Sequence, residues 1–158
     1  MARVEYYHEP AAPTPTTIAP SAFALVRDDA DRILLVRRID NGLWELPGGR
    51  VELGESAVDA AEREVEEESG VTVKVTRLAG VYTDPAHVID YPLTGEVRQQ
   101  FALCFHALPV AGEPCPDRTE TCEVAWVPVT WIARFDIHPA MRRRIVNALC
   151  ESDESFFE

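Results

Sequence analysis

Hydrophobic positions along the chain fall into short blocks separated by polar breaks, a pattern typical of strands. Runs rich in apolar and β-branched residues predict strands at 21–27, 32–38, 71–81, 97–108 and 122–129. The first two runs flank the turn-like segment Asp28–Asp31. This arrangement predicts a β-hairpin formed by Ser21–Arg27 and Arg32–Arg38.

Two other segments are predicted to be helical. Ser56 and Asp59 have the spacing of a weak capping box, and the Ala- and Glu-rich residues that follow favour a helix that ends near Gly70. The segment 137–150 has apolar residues four positions apart, namely Met141, Ile145 and Leu149. The order of strand, helix, strands and helix is consistent with an α/β/α sandwich.

The first predicted helix is strongly acidic. Residues 55–68 contain seven acidic side chains and one basic one. Glu64, Glu67 and Glu68 are spaced so that they share one helix face, where like charges repel by about 0.2–0.5 kcal/mol per pair. Carboxylate oxygens with water and phosphate are the ligands that Mg²⁺ prefers, so a divalent cation is expected there. The alternative is a solvated acidic helix face.

A glycine pair precedes this helix. Pro47-Gly48-Gly49 follows an apolar, strand-like segment, and glycine permits close backbone approach that a side chain would block. By itself the tripeptide is typical of an ordinary turn. Next to the acidic helix it predicts the second side of a metal site, with a backbone carbonyl directed at the cation.

The segment Gly49–Val71, GRVELGESAVDAAEREVEEESGV, has these features at fixed offsets. Every fixed position matches the 23-residue signature of the Nudix hydrolases, and the lead-in Leu46-Pro47-Gly48 matches as well. The chain therefore resembles that family. The resemblance implies a Nudix-type α/β/α sandwich with a mixed β-sheet over residues 18–150. Residues 1–17 would then be a Pro-rich N-terminal tail, and residues 151–158 an acidic C-terminal tail.

The resemblance also implies an activity. Nudix enzymes cleave the pyrophosphate bond of a nucleoside diphosphate linked to another group X, which leaves a nucleoside monophosphate and phosphorylated X. By position, Glu67 and Glu68 would bind Mg²⁺, with Mn²⁺ as an alternative, and Glu64 would be a ligand or the general base. The carbonyl of Gly48 would face the metal. Glu55 and Arg63 would pair and hold the loop against the helix.

Further candidates lie outside the signature. Glu120 lies in a loop where several Nudix enzymes supply another carboxylate, for a second metal or as the base, and Glu123 is its rival. Arginine can bind phosphate through two hydrogen bonds, which makes phosphate binding the functional interpretation of Arg37, Arg38, Arg50 and Arg98. Adjacent strand residues face opposite ways, so only one of the pair at 37–38 is expected to reach the cleft.

Composition limits the other possibilities. The 158 residues are 46% hydrophobic and carry a net charge of −12, which predicts one globular domain without a broad surface for nucleic acid or anionic membranes. No apolar run approaches the ~20 residues that span a bilayer, and the N-terminal residues lack the apolar part of a signal peptide. A cytoplasmic protein is expected. Its four cysteines lack zinc-site spacing and are expected to be free thiols, with Cys104 in the core.

The substrate and the assembly state remain open at this point. Some ADP-ribose-cleaving Nudix enzymes have a proline about fifteen residues past the signature, and Pro85 lies fourteen past Val71. Dinucleoside polyphosphates, nucleotide sugars and oxidised nucleotides are alternatives. The alternative to an enzyme with full turnover is a nucleotide-binding or regulatory module. Apolar side chains near both ends, Tyr6-Tyr7 and Phe156-Phe157, favour a homodimer.

Overall fold

The computed structural model describes residues 3–150 and 152–158; Met1, Ala2 and Glu151, which belong to the two expected tails, lie outside the described residues. The strands are β1 (Val4–Tyr7), β2 (Thr17–Val26), β3 (Arg32–Arg38), β4 (Trp44–Glu45), β5 (Gly48–Arg50), β6 (Val71–Tyr82), β7 (His87–Tyr91), β8 (Glu96–Gly112), β9 (Thr121–Pro128) and β10 (Phe156–Phe157). The helices are α1 (Ala57–Ser69) and α2 (Pro139–Leu149), with a 3₁₀ turn at Val129–Arg134.

The strands form two sheets. In the larger, mixed sheet the long strand β8 pairs in parallel with β2 and antiparallel with both β6 and β7. Strand β1 extends this sheet beyond β7, β5 pairs with β2, and β10 pairs with β6. The smaller sheet has the order β4-β3-β9. The predicted mixed sheet is confirmed.

The two helices cover opposite faces of β2. Phe23 and Leu25 belong to the apolar cluster that contains Ile145 of α2. Ala22 packs in the same cluster as Ala60 of α1, because successive strand residues face opposite sides of a sheet. The chain is therefore an α/β/α sandwich, as expected. Neither helix of the described residues is long and apolar enough to cross a membrane.

The predicted hairpin of the second and third strands is wrong. Strand β2 lies in the larger sheet and β3 in the smaller one. Among the described residues the two runs are joined at the turn by one bridge, between Arg27 and Ile33, and by a hydrogen bond from the Asp28 N–H to the Arg32 carbonyl. Ala22–Val26 and Ile33–Val36 are buried throughout, with no alternation of buried and exposed residues. Each run thus finds a long partner strand distant along the chain, β8 for β2 and β9 for β3, which a turn between the two runs does not reveal. Strand β3 also pairs with the nearby β4.

Both ends of the chain contribute short strands. Val4–Tyr7, in the segment expected to be a tail, pairs antiparallel with β7, and Phe156–Phe157 pairs in parallel with β6. Strand β7 was also missing from the sequence-based assignment, because its five residues, HVIDY, give only a short apolar run. All four cysteines lie in the described part of the chain as free thiols, and Cys104 is buried in the core.

Candidate active site

Helix α1 begins and ends where its capping residues require. The Ser56 hydroxyl accepts a hydrogen bond from the Asp59 N–H at 3.1 Å, and the Asp59 carboxylate accepts one from the Ser56 N–H at 3.0 Å. Gly70 ends the helix with a left-handed φ of 71°. Val65 and two alanines face the core, which fixes the rotation of the helix and therefore the direction of Glu64, Glu67 and Glu68.

The glycine loop lies against both β2 and α1. The Gly48 N–H donates a hydrogen bond to Oε2 of Glu68 at 2.9 Å. A Cβ on Gly48 would lie 2.4 Å from the carbonyl oxygen of Ala22, and one on Gly49 would lie 2.6 Å from Oε1 of Glu64. Position 48 thus needs glycine because the backbone of β2 is in the way, whereas at position 49 the Glu64 side chain would have to move.

Arg63 joins the loop to the helix. Its Nε and Nη2 donate to the two carboxylate oxygens of Glu55 at 2.7 and 3.1 Å, and Nη2 also donates to the Arg50 carbonyl at 3.1 Å. This is the pairing that the resemblance implied. Nη1 of Arg63 lies 3.0 Å from both Glu64 and Glu67. One guanidinium nitrogen therefore already provides positive charge between two of the three carboxylates.

Glu64 and Glu68 differ in environment from Glu67, whose side chain is 59% exposed. Glu68 is buried, and its pKa is raised well above the usual value by burial first and by the neighbouring Glu45 second. Burial also raises the pKa of Glu64, while Arg63 opposes that shift. A buried carboxylate is costly to ionise unless a cation compensates its charge. These side chains offer only oxygen donors, which a hard divalent cation prefers.

Arg38 is buried beside these carboxylates. Its Nε donates to Asp40 at 2.8 Å, its Nη1 donates to Glu45 at 3.2 Å, and Nη1 lies 3.9 Å from Glu68. Burial alone would lower the pKa of Arg38, but Glu45, Asp40 and Glu68 raise it above its ordinary value. Glu120, with a side chain 63% exposed, lies 3.9 Å from the same nitrogen.

Arg37 faces away from this cluster, as strand alternation requires. It binds Glu123 at 2.6 Å and the Gly42 carbonyl at 3.0 Å on the outer surface. Of the adjacent pair, it is Arg38 that lines the cleft.

The cleft has a volume of about 290 Å³. Six of the predicted residues line it: Arg38, Gly48, Arg50, Glu64, Arg98 and Glu120. Glu68 lies buried behind the Gly48 amide. The loop at Pro85 lies elsewhere, in a surface depression formed with residues 8–15.

Sequence reasoning missed several residues of the cleft. Arg3, which directly precedes β1, lines it, and its Nη2 donates to Glu45 at 2.9 Å. Tyr91 also lines it, and the predicted Arg98 lies 4.7 Å above its ring, in cation–π distance. Glu45 had a signal, since an acidic residue between Trp44 and Leu46 stands in an otherwise apolar strand. The sequence has no comparable signal for Arg3.

The fold and the site define an α/β/α protein with a glycine loop and an acidic helix at one cleft. The family model of the NUDIX domain matches residues 17–148. The chain is 36% identical over 124 residues to a putative 8-oxo-dGTP diphosphatase of Bacillus subtilis, an alignment that covers 78% of this chain and 75% of the relative. It is 47% identical over 68 residues to an ADP-ribose pyrophosphatase of Methanocaldococcus jannaschii, covering 38% and 40% of the two chains.

Solved structures have the same fold. An ADP-ribose pyrophosphatase of Streptococcus suis superposes with a TM-score of 0.69 at 21% identity, covering 89% of this chain and 98% of the other. A MutT protein of Methanosarcina mazei superposes with a TM-score of 0.66 at 28% identity, covering 90% and 100%.

The chain belongs to the Nudix family, and it is a Nudix pyrophosphohydrolase, an enzyme that acts on phosphorus-containing acid anhydrides. Members of this family generally depend on a divalent metal ion.

Proposed function

We propose that this protein is a Mg²⁺-dependent hydrolase of a nucleoside diphosphate linked to another group, ADP-ribose or a related nucleotide. One observation supports the proposal: Glu64, Glu68 and Arg38 lie close together where the glycine loop contacts α1. Carboxylates for a cation and a guanidinium for phosphate are thereby close together at one cleft.

Glu67, Glu68 and Glu64 are the proposed metal ligands, with the Gly48 carbonyl as a further donor. When bound, Mg²⁺ would offset the charge of the phosphate oxygens and of the leaving group. The Arg63 nitrogen between Glu64 and Glu67 indicates how strongly these carboxylates attract positive charge. Glu55 would act on the site through Arg63, by holding the loop that ends in Glu55 against the helix.

Glu64 is the proposed general base. It lines the cleft on a capped helix, so its carboxylate is held in place to accept the proton of the attacking water. The water oxygen then bonds to one phosphorus, and the bond from that phosphorus to the bridging oxygen breaks. The products are a nucleoside monophosphate and phosphorylated X. Glu120, on an exposed loop, is the alternative base or a ligand for a second metal ion.

Arginines on several sides of the cleft support a substrate with two or more phosphates. Arg3, Arg38, Arg50 and Arg98 line it, and guanidinium groups bind phosphate oxygens through paired hydrogen bonds. Relatives named for ADP-ribose and for 8-oxo-dGTP bring both nucleotides into consideration. ADP-ribose is the substrate proposed, although the position of Pro85 outside the cleft gives it no support.

A panel of nucleotides tests this proposal directly. ADP-ribose, nucleotide sugars, dinucleoside polyphosphates and 8-oxo-dGTP are incubated with Mg²⁺ or Mn²⁺ in water labelled with ¹⁸O, and the products are identified by mass. The labelled product shows which phosphorus was attacked. Turnover that persists in EDTA would contradict the metal mechanism. Tight binding of a nucleotide without turnover would favour the alternative, a binding or regulatory module.

We also propose a homodimer. Phe157 of β10 is 72% exposed, whereas its neighbour Phe156 stacks on Tyr82 at 5.4 Å. The exposed ring lies at the outer strand of the larger sheet, where a second chain can cover it.

A further inference from the structure

A second cluster of metal-binding side chains lies away from the three glutamates of α1. Glu5 comes from β1, His87 is the first residue of β7, and His138 is the N-cap of α2. One ligand atom from each of the three lies within 4.8 Å of the others. Oε1 of Glu5 is 2.6 Å from Nε2 of His87 and 3.3 Å from Nδ1 of His138.

The cluster is enclosed and ordered by its surroundings. The side chains of Glu5, His87 and His138 are 13%, 6% and 17% exposed. The two imidazole rings stack with their centroids 6.0 Å apart and an angle of 14° between their planes. The Tyr7 ring stands edge-on to both, at 5.5 and 6.4 Å. Three elements far apart along the chain therefore hold these ligand atoms in fixed positions.

The contact between Glu5 and His138 is where a metal ion would make the largest change. Oε1 of Glu5 lies 3.3 Å from Nδ1 of His138. Nδ1 has one lone pair, which accepts a long hydrogen bond from the Ala140 N–H at 3.3 Å. A metal ion bound between Glu5 and His138 would take that lone pair in exchange for this long bond.

We propose that Glu5, His87 and His138 form a second metal site, specific for Zn²⁺ or a similar borderline divalent cation. Two imidazole nitrogens and one carboxylate oxygen are a zinc ligand set, whereas the all-oxygen set on α1 suits Mg²⁺. Ligands about 2.0–2.2 Å from a tetrahedral metal are about 3.4 Å apart, close to the distance between Glu5 and His138. When the metal binds, the distance between Oε1 of Glu5 and Nε2 of His87 would increase by less than about 1 Å.

The protonation states suit metal binding. The pKa of Glu5 is lowered to about 2, because the hydrogen bond from His87 and the charge of Arg3 outweigh burial. Burial lowers the pKa of His138, with Arg3 and Arg144 adding to the effect and Glu5 opposing it. The carboxylate is thus ionised and this imidazole neutral at pH 7. The same guanidinium charges also repel a dication, so we expect affinity on the order of micromolar.

Such a site would fasten β1 to the body of the protein. Arg3 directly precedes β1, two residues before Glu5. Nη2 of Arg3, which lines the cleft, lies 3.9 Å from Glu5 and 2.9 Å from Glu45. A metal ion that holds Glu5 would therefore also hold Arg3 at the cleft. The site itself does not depend on the proposed substrate or on turnover.

Zinc binding to the whole chain tests the proposal. The protein is stripped of metal and dialysed against micromolar Zn²⁺ with millimolar Mg²⁺, so that Mg²⁺ occupies the carboxylates of α1. The variant is His138→Asn, because asparagine is also a good N-cap and keeps the acceptor for Ala140. The control is His8→Asn, since His8 is exposed and pairs with Asp84 outside the cluster. Glu5→Gln is a second variant of almost unchanged shape.

We expect the wild type and His8→Asn to bind one Zn²⁺ with equal affinity, and His138→Asn and Glu5→Gln to bind it at least ~100-fold more weakly. Cobalt in place of zinc should give the strong visible bands of a tetrahedral nitrogen and oxygen site, without a thiolate band. The proposal is overturned if the wild type binds no Zn²⁺ under these conditions. Equal binding by wild type and His138→Asn, or a thiolate band with cobalt, would overturn it as well.

Discussion

The backbone N–H of Gly48 donates a hydrogen bond to Oε2 of Glu68 across 2.9 Å, from the glycine loop to the last turn of helix α1. The acceptor is a buried carboxylate, and burial raises its pKa. The hydrogen bond from Gly48 therefore helps to stabilise the ionised form of Glu68. The loop and the helix are therefore one unit, and a change in either alters the carboxylate positions in the other.

Alanine at the two adjacent glycines should have different effects. In Gly48→Ala the new methyl group would meet the backbone oxygen of Ala22 at 2.4 Å, so we expect a loss of about 1–3 kcal/mol in unfolding free energy. In Gly49→Ala it would meet the Glu64 carboxylate, which can rotate away. We expect near-normal stability there but reduced turnover. Chemical denaturation and kcat measurements check both, and equal destabilisation by the two variants would contradict the structure.

Replacing Glu68 should stabilise the protein when metal is absent. Glu68→Gln removes a charge that burial and Glu45 both disfavour, so its melting temperature in EDTA should exceed that of the wild type at neutral pH. The raised pKa means that the native wild type takes up a proton before the unfolded chain does. The difference should therefore shrink as pH falls through that raised pKa towards the ordinary glutamate pKa of 4.5. Calorimetry of both proteins across this range is the measurement, and a gap that widens in acid would refute the assignment.

The same substitution should impair the enzyme, as should Glu67→Gln. Each removes one proposed metal ligand at nearly constant shape, so we expect a large loss of turnover and a higher Mg²⁺ concentration for half-maximal rate. Titration of activity with Mg²⁺ measures both effects. Glu66→Gln is a suitable control, because Glu66 contacts Thr72 on the exposed side of the helix and not the cleft. Retained activity of either ligand variant at low Mg²⁺ would count against that glutamate as a ligand.

Glu64→Gln should lower kcat at saturating Mg²⁺ by at least ~100-fold, the loss usual for a general base. Glu120→Gln should cost less, because the Glu120 side chain is largely exposed on its loop. Both are measured at saturating Mg²⁺, where weaker metal binding no longer limits the rate. If Glu64→Gln retains near-normal kcat, Glu64 is only a ligand, and Glu120 or another group takes the proton.

Alanine substitutions at the two neighbouring arginines of β3 should have different effects on the stability of the protein. Arg38→Ala leaves Glu45, Asp40 and Glu68 without their shared cation, and removal of one partner from a buried charge cluster costs about 3–5 kcal/mol. Arg37→Ala breaks an exposed contact with Glu123 and a hydrogen bond to the Gly42 carbonyl, both outside the cleft, so stability and KM should stay near those of the wild type. Denaturation curves and substrate titrations test this contrast. A KM increase in Arg37→Ala would show that Arg37 reaches the substrate after all.

A homodimer predicts twice the chain mass in light scattering at micromolar concentration. Phe157→Ser should shift the protein towards the monomer, because it removes the exposed apolar ring of β10. Leu93→Ser, at an exposed position in the turn between β7 and β8, is the control and should leave the mass unchanged. A monomeric mass for the wild type would refute the proposal.

Local patterns in the sequence were sufficient to locate the acidic helix and the glycine loop before it. The Ser56–Asp59 capping box and Gly70 set the ends of α1, and the three glutamates follow from helical spacing. The separation of Arg37 from Arg38 also rests on short-range geometry, since adjacent strand residues face opposite ways. The pairing of Glu55 with Arg63 was implied by the resemblance to the Nudix signature.

Contacts between distant segments were decided only by the tertiary structure. The predicted hairpin failed because strand partners are chosen by long-range burial, and β2 found β8 about 80 residues away in the chain. Arg3 and Glu45 meet in the cleft, and Glu5 meets His87 and His138, through folding alone. The sequence thus determined which chemistry the α1 segment carries, whereas packing of the whole chain determined which other side chains reach it. Periodicity encodes the local backbone, but the proximity of distant residues depends on the burial of every element at once.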